Sequence, residues 1–241
     1  GTPTQTATAI SKIIVGAIRW DAWTGPQNFV GTQVEKTLSP SQYHYRIPFY
    51  GIEYSSNSVN IQCTTQSCLD QEIAYASSMC LDYWAFIWYP ASSGLQQALN
   101  LYLSSSYKNL INFCLIIEDT NYISNITNAQ IVNYMQQPEY QKVMGGRPLL
   151  YFLGNSDSDL NAANIANLRT QAQGAGLSNP YIVLLRTGSD LSVITTLGMD
   201  AWSMYAVSWV GSGAPYSTLA STDVTQWNWV GVSNGYKFIP H

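Results

Sequence analysis

Eight apolar runs return along this chain at nearly even intervals, and that rhythm limits most strongly what it can fold into. They are "IIVGAIRW" from 13, "YRIPFYGIE" from 45, "LDYWAFIW" from 81, "INFCLIIE" from 111, "PLLYFL" from 148, "PYIVLL" from 180, "MDAWSMYAV" from 199 and "YKFIP" from 236. Their starts lie about 30 to 37 residues apart, with one gap near 19. That spacing suits a strand-loop-helix unit and is too long for a sandwich, whose strands recur roughly every 8 to 12 residues. Most runs are continuous where a half-buried strand would alternate, as expected for parallel strands covered on both faces.

Helical patterns fill the intervals. "SCLDQEIAYASSMC", "GLQQALNLYLSS", "NAQIVNYMQQPEYQKV" and "DLNAANIANLRTQAQGAG" carry apolar residues three and four apart, the last with Asp159 near its start and glycines at its end. Eight strands with crossover helices predict a (β/α)8 TIM barrel, a fold that commonly takes about 250 residues, against 241 here. Residues 10–241 are read as one barrel domain and "GTPTQTATA" before it as a polar linker or tag remnant. The sequence stops on the eighth run, so the barrel expected is one whose final loop and helix are missing or cut short. A doubly wound sheet is the alternative, but no strand leads into a G-x-G-x-x-G or Walker loop, the usual mark of nucleotide binding.

Composition narrows the partners. With 46% hydrophobic and only 10% charged residues, Ser, Thr, Asn, Gln and Tyr must cover the surface, as in secreted, polysaccharide-facing proteins. An extracellular or periplasmic location is expected, for a chain already processed. A net charge of −4 with ten Lys plus Arg leaves no basic patch for nucleic acid or anionic membrane. No apolar run approaches the roughly 18 residues of a membrane span. Of four cysteines, Cys63 and Cys68 are near enough in sequence to close a loop and Cys80 could pair with Cys114; four unpaired thiols are the alternative. A single C-x4-C with two histidines, His44 and His241, lacks metal-ligand spacing, and no metal or organic cofactor is expected. "NIT" at Asn125 matches the N-glycosylation sequon.

In a barrel, function gathers where the strands end. Arg19, Trp20, Asp21 and Trp23 follow the first run, Glu53 and Tyr54 the second, Trp88 and Tyr89 the third. Glu118, Asp119 and Asn121 follow the fourth, Asn155 and Asp157 the fifth, Arg186 the sixth; Tyr205 and Trp209 lie on and after the seventh, and His241 ends the eighth. Carboxylates, aromatics, amides and an arginine on one rim suit a sugar: flat rings stack on its C–H faces, polar groups bond its hydroxyls, and a carboxyl pair can protonate a glycosidic oxygen and support the oxocarbenium ion. Trp20, Trp84, Trp88 and Tyr205 read also as core packing, and Asp119 and Asp157 as turn or cap residues. Glu118 is different, because glutamate suits neither a strand nor a cap.

The segments "AIRWDAWTGP", "DYWAFIWYP", "INFCLIIEDTN", "RPLLYFLGN", "MDAWSMYAV" and "GYKFIPH", in that order, resemble glycoside hydrolase family 99 and the related WbsX-like domains of polysaccharide loci. The resemblance implies a (β/α)8 barrel hydrolysing α-linked, mannose-containing glycans, with the strand-four glutamate, here Glu118, as a functional residue. In the family a second catalytic glutamate follows three residues later, where this chain has Asn121. Asp119 could substitute, Glu53 or Asp21 could reach across the rim, or the barrel could only bind. The expected activity is glycoside hydrolysis of an oligo- or polysaccharide through a carboxyl pair, with Glu118 first, Glu53 second and Asp21 third as candidates. Trp20, Trp23, Trp88, Tyr89, Asp119, Asn121, Arg186, Tyr205, Trp209 and His241 are the candidate sugar contacts. The alternatives are a non-catalytic carbohydrate-binding barrel and, below it, a WbsX-like glycosyltransferase.

Overall fold

The structure, a computed structural model, describes residues 13–23, 29–154, 160–188, 190–205 and 213–240. Among these residues are nine strands: β1 Gly16–Arg19, β2 Ile52–Ser55, β3 Ser58–Asn60, β4 Tyr83–Ile87, β5 Asn112–Glu118, β6 Lys142–Val143, β7 Arg147–Leu153, β8 Tyr181–Leu185 and β9 Ala201–Ser203. The α-helices are α1 Phe29–Leu38, α2 Gln66–Ser78, α3 Gln97–Ser104, α4 Asn128–Met135, α5 Ala162–Gly174, α6 Ser192–Leu197 and α7 Tyr216–Trp227. Among the described residues six strands pair in parallel in the order β1-β4-β5-β7-β8-β9, and the short β6 pairs antiparallel with β7.

Burial explains the pairing. Every residue of β4 and β8, and all but the end residues of β5 and β7, are buried, because one face of the sheet packs under helices and the other looks inward. The outer face is aromatic: Trp84 and Phe86 of β4 and Phe113 of β5 meet Tyr102 of α3 at ring separations of 5.2 to 6.3 Å. The inner face carries Tyr83, whose hydroxyl bonds that of Tyr151 at 2.9 Å, and the fully buried thiol of Cys114. Gly16 stands opposite Tyr83, and a Cβ there would overlap the tyrosine ring.

The sheet curls. Ile13 to Ile18 at its β1 edge and Ile239 with Pro240 at its other edge line one cavity of about 580 Å³, together with Tyr83, Tyr151 and Leu185. Phe238 reaches that far edge through a bridge to Trp202, whose N–H and carbonyl bond Lys237 and Ile239 at 2.9 Å each. This is a curled parallel α/β sheet.

Three expected elements differ, one of them the run from 236, which supplies only an isolated bridge of Phe238 to Trp202 in place of an eighth strand. The run from 45 supplies no strand to this sheet: residues 41–46 form a 3-10 helix, and β2 pairs with β3 in a separate hairpin. Pro48 removes a ladder donor, and β2 is exposed along its whole length, so it lacks the two-sided cover of the others. The helix expected over 128–143 ends at Met135, before Pro138, and its remainder becomes the turn into β6. Cys63 and Cys68 form a disulfide, while Cys80 is exposed and Cys114 buried, both as thiols.

Candidate functional site

Glu118 is the last residue of β5, and strand alternation decides where it points. Ile116 and Glu118 share the inner face, Glu118 lying beside Leu153 of β7 and Ile116 beside Ile87 of β4. At the carboxyl ends of the strands these residues meet aromatic side chains: Trp20, Ile87, Tyr89, Glu118, Leu153 and Tyr205 line one cavity of about 260 Å³. Glu118 is the single carboxyl among those six. It is half-buried, and its Oε2 accepts a hydrogen bond from Asn121 Nδ2 at 3.1 Å. Burial, and then the neighbouring Asp119 charge, raise its pKa above the ordinary glutamate value. Its own charge acts back on the rim. Tyr89 is pushed up to about 12, by burial first and by Glu118 second, and Tyr205 is raised for the same two reasons.

Asn121, which stands three residues on, is buried and does more than cap the turn. It holds Glu118 with its amide nitrogen and accepts from Asn125 Nδ2 at 3.1 Å with its oxygen. Asp119 faces the other way: its backbone N–H bonds Leu153 O at 2.8 Å, and its Oδ1 accepts from the Thr120 N–H at 2.7 Å. Gly154 leaves room for it, since a Cβ at 154 would overlap the Asp119 carboxyl group and crowd its Cβ. Gly154→Ala is therefore expected to lose about 1 to 3 kcal/mol of stability, measured by urea unfolding; an unchanged midpoint would show that Asp119 can step aside.

The other two candidate carboxylates are engaged elsewhere. Arg19, one residue before Trp20, points to the outer face, donating to Asp21 Oδ1 at 2.8 Å and to Glu72 Oε2 of α2 at 2.6 Å, with its guanidinium 4.4 Å from the centre of the Trp84 ring. Asp21 is 3% exposed, and its pKa is raised by burial in spite of Arg19. Glu53 sits on the β2–β3 hairpin, its side chain 58% exposed and bonded to His44 Nδ1 at 2.9 Å. Neither carboxyl lines the Glu118 cavity.

The sugar-contact candidates divide in the same way. Trp20, Tyr89 and Tyr205 face the cavity with Glu118. Trp88 is buried in the core, and Trp23 packs against the separate cluster of Leu38, Val59 and Ile61. Arg186 follows β8, and its N–H bonds Ser203 O at 3.1 Å. Trp209 and His241, with Asn155 and Asp157, lie outside the described residues.

No family model matches the chain, and no curated protein does. Solved structures do. Two structures of the family 99 endo-α-mannosidase from Bacteroides thetaiotaomicron, one in complex with bis-tris-propane, are similar at 19% identity over 74% of this chain, each with a TM-score of 0.48. The alignments cover 54% and 56% of those proteins, so the chain spans about half the length of the solved structures it matches.

Three site residues carried little sequence signal. Ile87 and Leu153, apolar walls of the cavity, look like any strand residue. Gln96, buried before α3, accepts the Tyr89 backbone N–H on its Oε1 at 2.9 Å and so sets where Tyr89 stands. Glu72 did carry one: it is an acid beside Leu69 and Ile73 on the apolar face of α2, a position that asks for a partner. No helix among the described residues is long and apolar enough to cross a membrane, and no cluster of three His, Cys, Asp or Glu there could hold a metal ion.

Proposed function

We propose that this chain is the barrel portion of a glycoside hydrolase, with Glu118 as the proton-transferring carboxyl. The observation that carries the reading is one carboxyl group at the carboxyl end of a buried parallel strand, its pKa raised by burial, facing an aromatic cavity. Trp20 presents a flat face to a pyranose, the tyrosine hydroxyls bond sugar oxygens, and the raised pKa lets Glu118 keep a proton to deliver to a glycosidic oxygen. The curled sheet is taken as the larger part of a (β/α)8 barrel. A disulfide between Cys63 and Cys68 fits the extracellular or periplasmic setting in which such a substrate is met. Asp119 and Asn121 are assigned the task of holding the Glu118 turn, and a glycan is the proposed partner.

The second reading is a glycan-binding barrel without turnover, favoured by Glu118 being the one carboxyl among the described residues of the cavity, where hydrolysis ordinarily uses two. The two separate with a fluorescently labelled α-linked manno-oligosaccharide, chosen because the family resemblance points to α-mannosides. Cleavage by the wild type, lost in Glu118→Gln with binding retained, supports the hydrolase. Binding without cleavage by the wild type supports the binder, and no binding of any α- or β-linked oligosaccharide tried overturns both.

A further inference from the structure

The cavity that holds Glu118 contains a second polar group whose direction is already decided. Trp20 Nε1–H lies 2.9 Å from the Tyr89 hydroxyl oxygen. An indole nitrogen only donates, so the tyrosine oxygen is the acceptor and its own hydrogen must point elsewhere. Both residues line the Glu118 cavity, and no hydrogen bond joins Tyr89 to Glu118 directly. The space between them is the place for a ligand oxygen.

The pair is held from behind. Arg19, the residue before Trp20, bonds both Asp21 and Glu72 of α2, which fixes the strand end that carries the indole. Gln96 fixes the Tyr89 backbone. Asp21 thus has a task without reaching the cavity: it anchors Trp20.

We propose that Tyr89 is the working partner of Glu118, donating its hydroxyl hydrogen to a sugar oxygen seated against that carboxyl, with Trp20 as the positioning residue that aims it. The proposal rests on the cavity being a sugar site, and its test has one arm that needs no sugar. The groups whose charge reaches Tyr89 are Glu118, Tyr205 and Asp21. In the wild type the Trp20 indole N–H resonance is expected to move as Glu118 titrates, because Tyr89 accepts from that indole and feels the Glu118 charge. That movement should vanish in Tyr89→Phe and in Glu118→Gln, and the second variant also separates Glu118 from Asp21. An indole signal that ignores Glu118 in the wild type overturns the relay whether or not any glycan binds.

The second arm uses the labelled α-linked manno-oligosaccharide. Tyr89→Phe keeps its ring, Trp20→Phe replaces the indole with a smaller aromatic ring that has no donor, and each should weaken binding by about tenfold, the worth of one hydrogen bond. The double variant should be no worse than either single one, since both changes remove the same aimed hydrogen. Binding within twofold of the wild type in Tyr89→Phe, or a double variant whose losses multiply, overturns the proposal. A titrating indole together with no binding of this sugar by the wild type would keep the relay and overturn its assignment to a sugar oxygen.

Discussion

Replacing Asp200 with alanine is expected to lower stability by about 3 kcal/mol, a fall in melting temperature of roughly 6 to 12 °C for a chain of this size. Asp200 stands just before β9, at the end of the sheet opposite the Glu118 cavity, and its carboxylate bonds three elements. It accepts from Arg147 of β7 at 2.6 Å, from Arg169 of α5 at 2.9 Å and from the Ile182 N–H of β8 at 2.9 Å. Arg147 also lies 4.9 Å from the centre of the Tyr181 ring. Alanine would leave two guanidinium groups, each about one fifth exposed, with their shared counter-charge gone. Burial alone would raise the Asp200 pKa, but the Ile182 N–H and the two arginines outweigh it and hold the group below the ordinary aspartate value. A depressed carboxyl stabilises the fold above its unfolded pKa of about 3.9 and loses that contribution as pH falls through the folded one. Urea unfolding should therefore show the full gap between wild type and variant at pH 7 and a narrower one below about pH 4. An equal gap at both values would mean that lost packing, rather than charge, sets the effect.

What the amino-acid pattern revealed and what it hid follow from burial. "INFCLIIE" was legible as β5 because the five residues Phe113 to Ile117, covered on both faces, must be apolar, and a glutamate closing such a run has to be accommodated at a rim. The same two-sided burial erased the alternation that tells inward from outward. Trp20 and Asp21 are adjacent, as are Trp88 and Tyr89, yet in each pair one faces the cavity and the other does not. Nothing in a continuous apolar run carries that phase. The second run failed for another reason: "YRIPFYGIE" has the residue types of a strand, but Pro48 withholds a donor and its exposed hairpin has no second layer above it. The spacing of Cys63 and Cys68 allowed a loop-closing bridge without excluding free thiols, and that bridge forms. The Cys80–Cys114 bridge, equally open from the sequence, does not: one ends exposed after α2 while the other is buried.

Glu118→Gln is expected to reduce turnover of a cleaved glycan by about 10²- to 10⁴-fold, the usual worth of a positioned proton-transfer group, and to make the protein more stable at neutral pH. The second effect follows from the first group's environment. Burial and the Asp119 charge hold the Glu118 pKa above its unfolded value of about 4.3, so the folded chain binds a proton that the unfolded chain has already released. A raised carboxyl leaves stability intact below the unfolded pKa and removes some of it as pH climbs through the folded one. Glutamine keeps the length of the side chain, its oxygen still accepts from Asn121, and it has no charge to desolvate. Wild type and variant should unfold together near pH 4 and separate as pH rises to 7, with the variant the higher-melting of the two. A variant less stable by the same amount at both pH values would mark Glu118 as a structural hydrogen-bond partner. A carboxyl that weakens the fold when ionised, set at an aromatic cavity, is what the proposed hydrolase reading asks of Glu118.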